Sequence, residues 1–216
     1  DLSTGEFKGC RVAGEDLLVS EVAKNGPRET VLPEGLQGER LAADLKRTFP
    51  SLLVNAVPDS FYHEASDNGP PEDLTQGLIP SWVTGEPRDA ALAVLRYVQE
   101  SQKAGLGHIK PLFLYRLENY LILDETTQRN LELFASRGGK GRQGALLDVL
   151  DETVTAMGGR RLREWLSYPL VDAAKIGSRS ESVAQLKEAP LTRADLRECL
   201  AEVYDLERLN TRVTMG

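Results

Sequence analysis

The sequence of 216 residues is poor in cysteine and histidine and has no long apolar run, and each shortage excludes a class of protein. Cys10 and Cys199 lie near opposite ends without metal-ligand or redox spacing, so we expect two reduced, structural thiols. His63 and His108 have no cysteine, serine or acid cluster beside them, which argues against a zinc site or a catalytic triad. No stretch approaches the roughly 20 apolar residues of a membrane helix, and no charged-then-apolar leader opens the sequence. We therefore expect a soluble, cytoplasmic protein without a membrane partner.

Charge is distributed unevenly along the chain, although the net charge is only -7. Residues 1–107 contain 10 Lys and Arg against 17 Asp and Glu, whereas residues 108–216 contain 16 of each kind. Nucleic-acid phosphates are bound by clustered Lys and Arg. The acidic first half is therefore not expected to hold DNA by itself, and a basic protein partner suits it better.

The first half alternates strand-like and helical patterns, which predicts an α/β layer. Apolar residues at helical spacing predict helices, and the apolar run 51–57 predicts a strand buried on both faces of a sheet. The stretch 58–87 holds five of the eleven prolines, so we expect loop, with weak order around 68–73. The predicted strands are 7–12, 30–32 and 51–57, and the predicted helices are 16–25, 38–49 and 88–104. The last helix is apolar around most of its girth and is expected to be buried, with Gly105 at its end.

The second half is predicted to be helical after one hairpin. Residues 112–117 and 120–123 have the pattern of two strands joined at Glu118-Asn119, where asparagine tolerates positive φ. Helix starts are predicted at Asp124, near Gln143, near Thr155, at Asp172 and near Thr192.

Two segments of this half resemble the MutS family of DNA mismatch-repair proteins. Tyr120-Leu-Ile-Leu-Asp-Glu-Thr-Thr-Gln-Arg-Asn-Leu-Glu-Leu133 is similar to the stretch by which that family enters its core domain. Gly144-Ala-Leu-Leu-Asp-Val-Leu-Asp-Glu-Thr-Val-Thr-Ala-Met-Gly158 continues the likeness, with Ala156 where the family often has proline. Later residues with counterparts in the family include Arg160, Leu162, Trp165, Leu166, Pro169, Leu170, Asp205 to Arg208, and Arg212. Residues 1–107 match loosely, through Asp1 to Phe7 and through Gly107 to Lys110 at the boundary.

The resemblance implies a two-part fragment. Residues 1–110 would be the connector domain (domain II), ribonuclease-H-like with a truncated first strand, and residues 111–216 the first segment of the helical core or lever domain (domain III). The family reads mismatches with a Phe-x-Glu domain and hydrolyses ATP with a P-loop domain, and neither motif occurs here. The resemblance therefore implies a non-catalytic, monomeric piece without a cofactor, whereas the full-length parent would be a dimer that binds ATP, magnesium and mismatched DNA. Transmission between the mismatch and ATPase domains and docking of MutL are the implied roles.

Two enzymatic alternatives are weighed against this interpretation. The loop Arg137 to Gly144 lacks the Gly-x4-Gly-Lys-[Ser/Thr] order that cradles phosphates, so we expect a flexible connection. A magnesium-dependent nuclease on a ribonuclease-H-like sheet would need carboxylates such as Asp1, Asp44 and Asp59. Fold alone does not carry function, and surface acids are the simpler interpretation. A purely structural adaptor, unrelated to mismatch repair, leaves the family motifs without explanation.

Site predictions concern the junction between the two parts. Asp124 and Thr126 are placed to satisfy backbone donors at a helix start, and Arg129 to reach a carboxylate bidentately across the domain junction. The predicted junction residues are Asp124, Thr127, Arg129, Asn130 and Glu132. Trp165 lies at helical spacing from Leu162 and is predicted to belong to the core. For Arg160, Arg161 and Arg163 we expect an exposed helix face paired with Glu164 and nearby acids rather than a phosphate contact.

Overall fold

The computed structural model describes residues 1–62, 77–102, 106–138 and 141–215. The chain forms two compact units: unit 1 comprises Asp1–Tyr115 together with Asn210–Gly216, and unit 2 comprises Arg116–Leu209. The first segment of unit 1 ends at Tyr115, slightly beyond the predicted domain boundary after residue 110. The assignment of these parts to connector and core domains stays a prediction.

Unit 1 combines short parallel strands with helices. Its strands are β1 (Lys8–Gly9), β2 (Glu29–Pro33), β3 (Leu53–Val57) and β4 (Phe113–Leu114), and its helices are α1 (Glu15–Asn25), α2 (Leu36–Thr48) and α3 (Glu86–Gln102). Strand β1 pairs with β4, and β2 pairs with β3 in a register that joins Glu29 to Leu53 and Pro33 to Val57. A β–α–β unit with parallel strands fits the predicted α/β alternation.

The core of unit 1 lies along one face of α3. Its buried members are Ile79, Val83, Ala91, Leu92, Leu95 and Leu112. Helix α1 ends where Gly26 takes the left-handed conformation and its N–H bonds to the Val22 carbonyl. Helix α2 passes so close to β2 that a Cβ on Gly38 would lie 1.9 Å from the Pro33 carbonyl oxygen, so this position requires glycine.

Three expectations for unit 1 were wrong in part. The strand predicted over 7–12 is limited to β1. Strand β3 is not buried on both faces: Val57 is buried, but Leu53 is 64% exposed, and Ala56 on the opposite face is exposed as well. Helix α3 is buried at Ala91, Leu92, Ala93 and Leu95, but not all round, because Val94 is 42% exposed. The predictions for Gly105, for His63 and for weak order at 68–73 lie outside the described residues.

Unit 2 is helical in its described residues. Its helices are α4 (Glu125–Asn130), α5 (Leu146–Leu150), α6 (Ala156–Ser167), α7 (Ala173–Glu188), α8 (Pro190–Ala201) and α9 (Leu206–Met215), and the last extends into unit 1. The predicted starts at Asp124, Thr155 and Asp172 are confirmed, because each side chain caps its helix by accepting a backbone N–H. Helix α5 begins slightly after Gln143, and α8 begins before Thr192, with Pro190 in its first turn.

The predicted hairpin is wrong. Strand β4 pairs with β1, because Phe113 N–H donates to the Phe7 carbonyl and Tyr115 N–H to the Gly9 carbonyl. Residues Leu117–Asn119 form a 3-10 turn, and Tyr120 makes an antiparallel bridge with Leu170 instead. The non-glycine residue with positive φ in the described ranges is Glu132, not Asn119.

The hairpin of α7 and α8 has little cover. In the described structure no residue of either helix is buried, and Val183 and Leu191 are 66% and 81% exposed. None of the described helices has both the length and the apolar character that crossing a bilayer requires.

Candidate functional site

The first predicted junction residue, Asp124, caps α4. Its Oδ1 accepts the Thr127 backbone N–H at 2.6 Å. The pKa of Asp124 is lowered mainly by this backbone bond and then by the Thr127 hydroxyl, since both favour the charged carboxylate. Asp124 and Thr127 therefore act together within unit 2, at the beginning of one helix.

Arg129 pairs inside its own helix. Its guanidinium bonds to Glu125, one helical turn earlier, and both side chains are exposed. The sequence predicted a bidentate contact across the domain junction, whereas the four-residue spacing within α4 places a nearer carboxylate beside the guanidinium. Exposed pairs of this kind contribute about 0.3–0.5 kcal/mol, so this contact fixes little beyond the helix. A role for Arg129 at the junction stays a prediction.

Asn130 and Glu132 hold the turn that follows α4. The Asn130 side chain accepts a bond from the Arg137 guanidinium, and Glu132 accepts the Arg137 backbone N–H at 3.1 Å and the Ser136 hydroxyl at 3.3 Å. Glu132 has φ of 49°, an uncommon conformation for a side chain of its size. The three bonds to Arg137 and Ser136 close this turn within unit 2.

The glycine-rich loop from Arg137 to Gly144 is described except for residues 139 and 140. Arg142 is paired with Asp151, and Gly144 N–H donates to Asp148 Oδ2 at 3.1 Å. The end of the loop therefore bonds to residues in and just after α5.

The most extensive ion cluster of unit 2 joins α6 to the beginning of α9. Arg160 contacts both oxygens of Asp205 at 2.8 Å and reaches Glu207 Oε2 at 2.9 Å. The three side chains are 30%, 19% and 36% exposed. Arg160 and Asp205 are both among the family-like residues of the sequence, where Arg160, Arg161 and Arg163 were expected to pair with Glu164 and nearby acids. The structure gives the Glu164 contact to Arg161 instead.

Electrostatics and hydrogen bonding act in the same direction in this cluster. The bonds from Arg160 lower the pKa of Asp205 to about 2, and the backbone N–H of Arg208 contributes further. The Asp205 bonds raise the pKa of Arg160, because they favour its charged form. Since Asp205 also accepts that Arg208 N–H at 3.4 Å, the same carboxylate caps α9 and binds α6.

Two further arginines of unit 2 contact aromatic rings. The Arg179 guanidinium lies 3.9 Å from the Trp165 ring centre, and that of Arg163 lies 4.3 Å from the Phe134 ring centre. Trp165 is 42% exposed, so its predicted place in the core is wrong. Helical spacing showed that Trp165 shares a side with Leu162 but not that an arginine, rather than an apolar layer, covers its ring.

Comparison with known proteins decides the family. Residues 126–216 match the family model "MutS domain III". The chain aligns over its whole length with proteins named DNA mismatch repair protein MutS: at 40% identity from Symbiobacterium thermophilum, and at 37% from Desulfosudis oleivorans and Acetivibrio thermocellus. The chain belongs to the MutS family. It spans about a quarter of the length of these MutS relatives, 25% in each case.

The match to MutS domain III contains most of the geometry described above. It includes the predicted junction residues from Thr127 to Glu132 and the Arg160 cluster with Asp205 and Glu207. It confirms the family proposed from the segments 120–133 and 144–158. The MutS relatives extend the similarity over residues 1–125 as well.

Two of the three acids proposed for a nuclease, Asp1 and Asp44, have local partners. Asp1 accepts bonds from the Ser3 backbone and hydroxyl at 2.8 Å, and Asp44 pairs with Arg47 at 2.9 Å. Within residues 1–62, 77–102, 106–138 and 141–215, His, Cys, Asp and Glu form no group of three that could hold a metal ion. The nuclease alternative gains no support from this MutS-family chain.

Proposed function

We propose that this chain is the connector and the first part of the core of a MutS protein, and that it transmits conformational change between mismatch-binding and ATPase domains. In this proposal unit 1 is a ribonuclease-H-like connector that also docks MutL. The chain performs no catalysis itself, and ATP, magnesium and mismatched DNA bind to other parts of the full-length protein. Family membership and the following features of the two units support the proposal.

The observation that carries the proposal is the position of helix α9. The division between the units falls within this helix: Leu206 to Leu209 belong to unit 2, and the residues from Asn210 onward belong to unit 1. The second part is integrated into unit 1, where Thr211 is only 5% exposed. An α-helix is a stiff element because each turn is bonded to the next. A displacement at one end of α9 is therefore passed along it.

The Arg160 cluster determines which part of α9 receives such a displacement, namely its beginning at Asp205 and Glu207. It fixes the first turn of α9 to α6 through two bonds to Asp205 and one to Glu207. Without this cluster, the beginning of α9 would be attached to the preceding helix α8 through the short segment 202–205. Short connecting segments absorb motion, whereas a bidentate contact has a defined geometry. We infer that Arg160 makes α6 and α9 move together.

Charge supports the docking part of the proposal. Residues 1–107 contain 10 basic and 17 acidic residues, a balance that favours a basic protein surface over DNA. MutL is the partner that the family resemblance implies.

Hydrogen exchange tests the transmission role. Arg160→Ala should accelerate amide exchange at the beginning of α9 and also in the unit 1 part, residues 210–215. Arg161→Ala is the matched control, because it removes an arginine of the same helix whose pair with Glu164 lies within α6. Acceleration confined to residues 205–209, or equal in both variants, would contradict transmission along the helix.

Binding measurements test the docking role separately. The chain should bind the amino-terminal domain of MutL saturably in an interferometry assay, whereas ATP and a mismatched duplex, offered in parallel, should not bind. Failure to bind MutL would refute docking by this piece and leave its family unchanged. Nanomolar ATP binding would refute the assignment of nucleotide binding to another part of the parent. Sedimentation should show a monomer, because we place the contacts of the parent dimer elsewhere.

A further inference from the structure

Unit 1 contains a buried polar network around α1. Lys24 Nζ lies 2.7 Å from Glu21 Oε1, and the two side chains are only 2% and 8% exposed. The second carboxylate oxygen, Oε2, accepts the Tyr115 hydroxyl at 3.0 Å. One buried carboxylate thus joins an ammonium group on its own helix to a phenol from a residue 94 positions away.

Cys10 lies beside this network. Burial raises the pKa of the Cys10 thiol, a hydrogen bond with Tyr115 opposes that effect, and the Glu21 carboxylate adds to it. The thiol is therefore protonated near neutral pH and reacts slowly. Its reactivity can report on whether Tyr115 stays in place.

The position of Tyr115 in the chain gives the network its significance. Tyr115 is the last residue of unit 1 before the chain enters unit 2 at Arg116. Its backbone N–H donates to the Gly9 carbonyl at 2.9 Å, next to the two-residue strand β4. The hydroxyl of Tyr115 adds a second attachment, to a different element, at the point where the chain leaves the unit.

Burial of an ion pair is a poor source of stability, because desolvation offsets much of the attraction between the charges. A phenylalanine at position 115 with apolar residues at 21 and 24 would fill similar space without that penalty. What an apolar cluster would not provide is a directed bond, because apolar contact has no preferred direction. The network therefore gives unit 1 an attachment of defined geometry at residue 115.

We propose that Tyr115 is a positioning residue whose hydroxyl, held by the buried Glu21–Lys24 pair, fixes the point at which the chain leaves unit 1. This inference rests on the proposed transmission role. A connection that begins at a fixed point passes displacement of the chain to α1. A connection held only by β4 would absorb that displacement by local opening.

The test compares two Tyr→Phe substitutions in the intact chain. Tyr115→Phe removes the proposed attachment and keeps the ring. Tyr97→Phe is the control, because its hydroxyl also donates to a carboxylate of unit 1, that of Glu29, but at an exposed site. Amide exchange is measured by NMR at position 115 and throughout unit 1. Cys10 reactivity with Ellman's reagent is followed in a Cys199→Ser background.

A hydrogen bond to a charged group contributes enough to change local opening by about ten- to a hundredfold. Tyr115→Phe should therefore accelerate exchange at position 115 by about that factor, with the core amides around Leu92 little changed. The Cys10 reaction should accelerate less, because loss of the Tyr115 hydrogen bond also raises the pKa of the thiol. Tyr97→Phe should alter neither readout. Unchanged exchange at 115, or equal acceleration across unit 1, would overturn the positioning role. Residue 115 and Cys10 both lie outside α9, so these two readouts succeed or fail independently of the Arg160→Ala result.

Discussion

Two helical glycines should respond oppositely to alanine. In a helix interior, alanine is about 1 kcal/mol more favourable than glycine when its methyl group meets open space. Gly177 in α7 meets this condition, because a Cβ there would have nothing within 4 Å. Gly177→Ala should stabilise unit 2 by up to about 1 kcal/mol.

Gly38 in α2 is the opposite case. A Cβ there would lie 1.9 Å from the Pro33 carbonyl oxygen and 3.1 Å from its carbon, and neither atom can rotate away as a side chain could. Overpacking costs about 1–3 kcal/mol. Because the clash is with backbone atoms, which move less readily than a side chain, we expect a cost near the upper value. After subtraction of the helix gain, Gly38→Ala should destabilise unit 1 by about 2 kcal/mol.

The two tryptophans allow both effects to be measured separately. Trp82 lies in unit 1 and Trp165 in unit 2, so Trp165→Phe and Trp82→Phe backgrounds give one fluorescent reporter each. Urea unfolding is followed for each alanine variant in the matching background. A Gly38→Ala chain as stable as its parent would refute the close approach of α2 to β2. A destabilised Gly177→Ala chain would refute the open environment of α7.

Two further predictions concern unit 2. Because the folded pKa of Asp205, about 2, lies below the ordinary 3.8, its stabilising effect should be full above about pH 5 and be lost as the pH falls towards 2. Carboxyl NMR titration should show this low pKa, and Arg160→Ala should return it towards 3.8; an unchanged titration would contradict the cluster. Arg179→Gln should remove the contact over Trp165, at a cost of about 0.5–1 kcal/mol, and change Trp165 emission in a Trp82→Phe background. Identical emission spectra would argue against the stacked geometry.

Local features of the fold could be predicted from the sequence. Asp124, Thr155 and Asp172 each begin a helix because a capping side chain needs only partners two or three residues away. The hairpin prediction failed for the opposite reason. Strand β4 pairs with β1, about a hundred residues earlier, and the apolar pattern of 112–117 does not identify a partner.

In the candidate site, too, local partners could be predicted from the sequence and distant partners could not. The partner of Arg129 is Glu125, which the spacing rule for helices could have indicated. The partner of Arg160 lies 45 residues away, and only the fold brings Asp205 to it. Tyr115 and Glu21 were not singled out in the sequence, because neither residue type predicts a buried ion network.

The discontinuity of unit 1 affects how the protein is made. Residues 1–115 are synthesised before unit 2, whereas the segment that includes buried Thr211 is synthesised after it. Unit 1 therefore stays incomplete while residues 116–209 are synthesised. A chain truncated after Leu209 would keep unit 2 but lack the 210–215 part of unit 1, so we expect proteases to cleave unit 1 first.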